Sequence, residues 1–242
     1  MSDYAHWFRE TTPYISAHRG RTFVVSLPGE ALASPNLTNV VHDLALLNVI
    51  GVRLVIVHGA RPQLDAALGT VTTGAWRITS ESELPKVTAE VAKLRATLES
   101  RFSAGLPGSP LHNTQINLVS GNFVLAKPVG TRDGVNYQFT GQVRSLKIDA
   151  INQALDSGSI VLLSPSGFSP AGQMYNLSAE ELAAEAAVGL GADKLITFAQ
   201  EAFIKDNVGN DLPELTPGPP GQGAEPAGLA RRRPPARRPR SG

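Results

Sequence analysis

Three short stretches place glycine or small residues directly after an apolar run: Pro28-Gly29-Glu30-Ala31, Gly59-Ala60-Arg61-Pro62 and Ser164-Pro165-Ser166-Gly167. Beyond the carboxyl ends of parallel strands, backbone N–H groups at helix starts favour anions. Any one junction is equally well explained as a tight turn; three in one sheet favour a ligand crevice. Neither GxxxxGK[ST] nor GxGxxG is present, so the two common nucleotide loops are absent. Pro62 suits the first turn of a helix. The junctions nominate Gly29, Gly59, Ala60 and Arg61 as crevice residues. Arg77, in AWRIT, has the planar fork that grips a carboxylate bidentately, with a solvated surface arginine as the plain alternative. In NLSAEE (176–181), Ser178 and Glu181 have capping-box spacing. That motif does not need Asn176 and Glu180, which are expected to face the crevice.

Other chemistries lack their residues. The 242-residue chain has no cysteine, and its five histidines show no HxxxH or HExxH spacing, so disulfides, thiolate chemistry and a metal site are not expected. At 42% hydrophobic and 18% charged it is ordinary for a globular protein. No stretch of the sequence is apolar enough for a bilayer span and the N-terminus does not read as a secretory signal, so a cytoplasmic location is expected. The net charge of +1 hides a contrast. The last thirty residues carry six arginines and two glutamates, leaving residues 1–212 at −3, without a bias toward nucleic acid. Residues 213–242 also hold eight prolines and five glycines and are expected to be disordered. A basic arm, a plain solvated tail and out-of-frame translation compete for this tail. The abrupt change at Pro217 favours the last.

The elements that must position the crevice alternate. TFVVSL (22–27), LVIVHG (54–59), TGQVRSLKI (140–148), SIVLLSPSG (159–167) and KLITFA (194–199) read as strands. Helical stripes run over 35–50, 81–98 and 149–158 and from 176 onward, with Gly51 ending the first. INLVSG (116–121) and FVLAKPVG (123–130) read as a hairpin turning at Gly121-Asn122. The pattern predicts an α/β protein with a mostly parallel sheet covered on both faces. Three segments are expected: an N-terminal helical segment (1–20) with Tyr4, Trp7 and Phe8 as an apolar stripe, a body (21–212) and the tail (213–242).

FVVSLPGEAL, LVIVHGARPQL, WRIT, VNYQFTGQV, SIVLLSPSGFSPAGQMYNLSAEELA and GADKLITF occur in the order seen in the amino-acid-kinase family, which the chain resembles over roughly residues 4–205. VHGARPQ and YNLSAEELA resemble its N-acetylglutamate synthase branch. The resemblance implies a three-layer αβα sandwich whose C-terminal part is incomplete. It also implies a regulatory domain that binds arginine as feedback effector, binding that is expected to be weak or lost here because the incomplete part holds much of the family's arginine site. In that branch an acetyltransferase domain makes N-acetylglutamate from glutamate, with acetyl-CoA as co-substrate, for arginine biosynthesis. That domain, of about 150 residues, is expected to be missing, so no cofactor is expected on this chain. The resemblance further implies homo-oligomers formed through the N-terminal segment and the sheet, and a place for Lys194 near the effector.

The alternative the family offers is a small-molecule kinase acting on N-acetylglutamate. Phosphoryl transfer needs a cation over the moving phosphate. Ser26 stands where the family's K-x-G-G motif has lysine, with Pro28 in place of its first glycine. Ala60-Arg61 interrupts the second loop's glycines, Ser80 replaces the aspartate after R-x-T, and Glu180 replaces the NxNAD aspartate. No catalytic residue is assigned.

Overall fold

The structure, a computed structural model, describes residues 2–72, 74, 76–104, 112, 114–198, 204–205 and 211–212, with 2–9, 204–205 and 211–212 described by backbone alone. In chain order the elements are α1 (Ser2–His18), β1 (Thr22–Leu27), α2 (Gly29–Ala33), α3 (Leu37–Val49), β2 (Arg53–His58), α4 (Arg61–Leu68), α5 (Leu84–Phe102), β3 (Leu118–Ser120), β4 (Val124–Pro128), β5 (Thr131–Arg132), β6 (Val135–Asn136), β7 (Gly141–Leu146), α6 (Ile148–Asp156), β8 (Ile160–Leu163), β9 (Ser166–Phe168), β10 (Met174–Asn176), α7 (Ala179–Gly189) and β11 (Lys194–Thr197). These lie in a compact unit spanning Met1–Phe198. In a second unit, Ala199–Gly242, β12 (Ile204–Lys205) pairs antiparallel with β13 (Asp211–Leu212). The tail, the side chains of Tyr4, Trp7 and Phe8, and residue 199 of the last expected strand lie outside the described residues.

Five strands form a parallel sheet in the order β11-β1-β2-β8-β3. Side chains alternate across a strand, and this sheet sorts them cleanly into two cores. Phe23, Val25, Leu27, Leu54, Ile56, Ile160 and Leu162 face α3 and α5, packing on Val41, Leu44, Val87, Val91 and Leu98. Val24, Val55, Val57, Val161 and Leu163 face the opposite way, onto Ile151 and Leu155 of α6 and Leu182, Ala183 and Ala186 of α7. Helices cover both faces, as a parallel sheet requires. This is the three-layer αβα sandwich expected, with its central sheet parallel throughout.

The expected hairpin at Gly121-Asn122 is not there. β3 joins the main sheet beside β8, whereas β4 enters a second, four-stranded sheet of order β10-β9-β4-β7, pairing antiparallel with β7. The intervening Gly121 has ordinary negative-φ backbone and redirects the chain from one sheet to the other instead of reversing it. The helix ends follow their sequence cues. Gly51 adopts φ +96° just after α3, and Gly69 caps α4 at φ +67°, the left-handed conformation that costs glycine least.

Candidate functional site

All three glycine or small-residue junctions lie at the carboxyl ends of β1, β2 and β8, and a cavity of about 200 Å³ opens there. Its wall includes every crevice residue expected from sequence: Gly29, Gly59, Ala60, Arg61, Arg77, Asn176 and Glu180. It also includes Glu30, Trp76, Thr140 and Pro165, which sequence reasoning did not nominate.

The two glycines are required by contact between loops. A Cβ on Gly59 would lie 2.8 Å from the Gly29 nitrogen, and one on Gly29 would lie 2.6 Å from Pro62 Cδ. The Gly59 N–H donates to the Leu27 carbonyl at 2.7 Å, and Gln63 Nε2 donates to the Gly29 carbonyl at 2.6 Å. The loops after β1 and β2 are therefore stitched to each other. Ser26, at the position where a kinase would have its lysine, is 4% exposed within β1, beside Val57 and Thr197. No lysine is among the described residues lining the cavity.

Arg77 does grip a carboxylate, but one of its own chain. Its Nη2 donates to Asp65 Oδ1 and to the Thr70 carbonyl (2.9 Å), and its Nη1 donates to Thr70 Oγ1 at 2.7 Å. Asp65 Oδ1 also accepts from the Thr72 N–H and hydroxyl, at 3.2 and 2.9 Å. The Arg77 side chain is only 8% exposed, and burial lowers its pKa from the ordinary guanidinium value. Arg61 donates to the Gly74 carbonyl at 3.1 Å.

The floor is a buried polar network. Asn176 Nδ2 donates to Thr79 Oγ1 at 3.0 Å, the Thr79 N–H donates to Thr140 Oγ1 at 3.0 Å, and the Thr140 hydroxyl donates to the Arg77 carbonyl. The network joins the loop before α5 to β10 and to the start of β7.

At the start of α7, Ser178 accepts the Glu181 N–H at 3.2 Å and donates its hydroxyl to Glu180 at 2.7 Å. The expected capping box is half formed: the Glu181 carboxylate turns away to accept the Val143 N–H at 3.3 Å and the Trp76 indole. Burial raises the Glu181 carboxyl above its ordinary value, with those two hydrogen bonds opposing. Trp76 also meets Tyr137 edge-on at 5.7 Å and carries the Arg132 guanidinium at 4.8 Å over its ring. Its signal in the sequence was its place directly before Arg77.

His58, fully buried at the end of β2, donates from Nδ1 to the Gly59 carbonyl (3.1 Å) and accepts the Ser164 hydroxyl at Nε2 (2.9 Å). Because a carbonyl can only accept, Nδ1 must carry the proton. Burial pushes the pKa of His58 down to about 4. Lys194 lies away from the cavity, opposite Phe23 near the amino end of β1, with Nζ 5.2 Å over that ring. Among the described residues, no group of three His, Cys, Asp or Glu could hold a metal ion, and no helix is long and apolar enough to cross a membrane.

The cavity thus holds two carboxylates, an arginine bonded to a backbone carbonyl, a second arginine neutralised by its own chain and an aromatic ring. Among the described residues, its lining offers no lysine.

Residues 21–202 match the model of the amino acid kinase family. The chain is 48% identical over 222 residues to the amino-acid acetyltransferase of Ectopseudomonas mendocina and 46% identical to that of Pseudomonas fluorescens, covering 90% of this chain and 51% of each relative. It spans about half the length of the curated relatives it matches. Among solved structures, N-acetylglutamate synthase from Neisseria gonorrhoeae complexed with coenzyme A and L-arginine superposes with a TM-score of 0.76 at 34% identity, over 87% of this chain and 50% of that one.

Proposed function

The chain belongs to the amino acid kinase family, and from that premise we propose that it is the regulatory, arginine-sensing portion of an amino-acid acetyltransferase that makes N-acetylglutamate from acetyl-CoA and glutamate. The observation that carries this reading is a family crevice without its phosphate apparatus. Ser26 is buried and neutral, the loops after β1 and β2 pack on one another, and Arg77 is spent on Asp65. A buried, neutral hydroxyl does not supply the positive charge that a transferring phosphoryl group requires, which counts against a kinase acting on N-acetylglutamate. The reading is further supported by the acetyltransferase relatives and by a neighbour whose crystals hold coenzyme A and L-arginine. Acetyl-CoA would be handled by the transferase part of the whole protein, arginine by this one. Assembly into homo-oligomers through α1 belongs to the same reading.

Calorimetry tests it. Titration with L-arginine is expected to give saturable heat, and titration with Mg-ATP none. Heat with Mg-ATP and none with L-arginine would overturn the proposal in favour of a nucleotide-dependent activity.

A further inference from the structure

A second cavity, of about 280 Å³, opens between α5 and the carboxyl ends of β3 and β8, and it shares no lining residue with the crevice. Its wall is mainly apolar, with Val91, Val124, Leu163 and Phe168 among its residues. Phe168 is 43% exposed, an aromatic surface left open at this site. Among the described lining residues, Arg95 is the one that carries charge. Its Nε lies 3.5 Å from Glu99 Oε1, and that same oxygen accepts the Ser120 hydroxyl at 2.9 Å. The Arg95 side chain is 45% exposed. The fork that pairs best with a carboxylate is therefore open at the edge of an apolar chamber. Ligand sites commonly combine a concave apolar wall with a few polar anchors.

We propose that this second cavity binds a small monocarboxylate with a short apolar tail. The carboxylate meets the Nη nitrogens of Arg95 and the tail lies against Val91, Val124, Leu163 and Phe168. The site is independent of the arginine reading of the crevice.

The test uses the full chain and hexanoate as probe, followed by amide NMR, with hexanol as the uncharged comparator. Hexanoate is expected to shift the amides of residues 120–124, 164 and 166–168 saturably. Hexanol should bind at least about tenfold more weakly, the loss of one charge-assisted contact. Arg95→Gln should weaken hexanoate by a similar factor, and Arg95→Lys, which keeps the charge and loses the fork, should fall between the two. The proposal is overturned by the absence of saturable shifts up to about 50 mM, beyond the roughly 20 mM that eight heavy atoms give at the efficiency of drug-sized ligands. It is equally overturned if hexanol matches hexanoate, if Arg95→Gln leaves binding unchanged, or if the shifts fall on residues 59–61 and 176–180 instead. The hexanol comparison stands on the unaltered chain, so it decides the matter even where a variant fails to fold.

Discussion

At the scale of single residues, the crevice turns on how Arg77 is spent. Its guanidinium is nearly buried and held by Asp65 and Thr70, so Asp65 acts as a tether inside the wall. Removing one partner of a buried pair strands the other charge without compensation. Asp65→Ala is accordingly expected to cost about 3 kcal/mol, a fall of about 6–12 °C in Tm for a chain of this size. Lys93→Ala breaks an exposed ion pair to Glu90 and should stay within about 0.5 kcal/mol. Thermal melting of the two variants side by side checks the difference, and equal melting points would mean that the Asp65–Arg77 pair contributes no more than a surface contact. The sequence offered a carboxylate grip for Arg77 beside a solvated surface position, and the structure shows the grip. The identity of the partner was not legible there, because Asp65 lies on α4 and the loop joining them sets their distance.

At the scale of elements, the crevice is made by two loops that touch. Gly59→Ala would drive a methyl group against the backbone nitrogen of Gly29, which has no flexible end to move. Overpacking of this kind costs about 1–3 kcal/mol. Gly121→Ala meets only the Phe123 ring at 3.5 Å, an ordinary contact, and has no positive φ, so it should be close to neutral. Urea denaturation of both variants measures this contrast, and a neutral Gly59→Ala would show that the loops are free to part. The same elements show what local sequence can disclose. The strands of the main sheet were readable because their side chains alternate between two helical layers. Gly121-Asn122 misled because β3 and β4 look like hairpin arms locally. Their true partners, β8 and β7, lie further along the chain, and pairing at that range leaves no short-range pattern. Trp76 was likewise hidden. Its partners Tyr137 and Arg132, close together in one stretch, and Glu181 in another, lie more than fifty residues further along the chain.

For the whole molecule, His58 links stability to pH. Its pKa is about 4 when folded against 6.5 for the free side chain, so the unfolded chain binds the proton more readily. The stabilisation is intact above about pH 6.5, drains away as pH falls toward 4, and levels off below that. The full swing is about 3 kcal/mol. Glu181, whose carboxyl is raised, works in the opposite sense. Unfolding free energies measured across this range should fall with acid, and His58→Asn should flatten the profile between pH 6.5 and 4. A slope unchanged by His58→Asn would assign the acid sensitivity to other groups.

The strand order β11-β1-β2-β8-β3 has a consequence for synthesis on the ribosome. β1 and β2 are joined by α3 and can pair as soon as both have emerged, but β2 then waits for β8, which begins about a hundred residues later. At 5–20 residues per second that wait is about 5–20 s. Throughout it, the inner edge of β2 presents unpaired backbone groups beside Leu54, Val55, Ile56 and Val57, a template for another nascent chain. Residues that end up among the most deeply buried in the finished sheet therefore flank an open edge while it is being made.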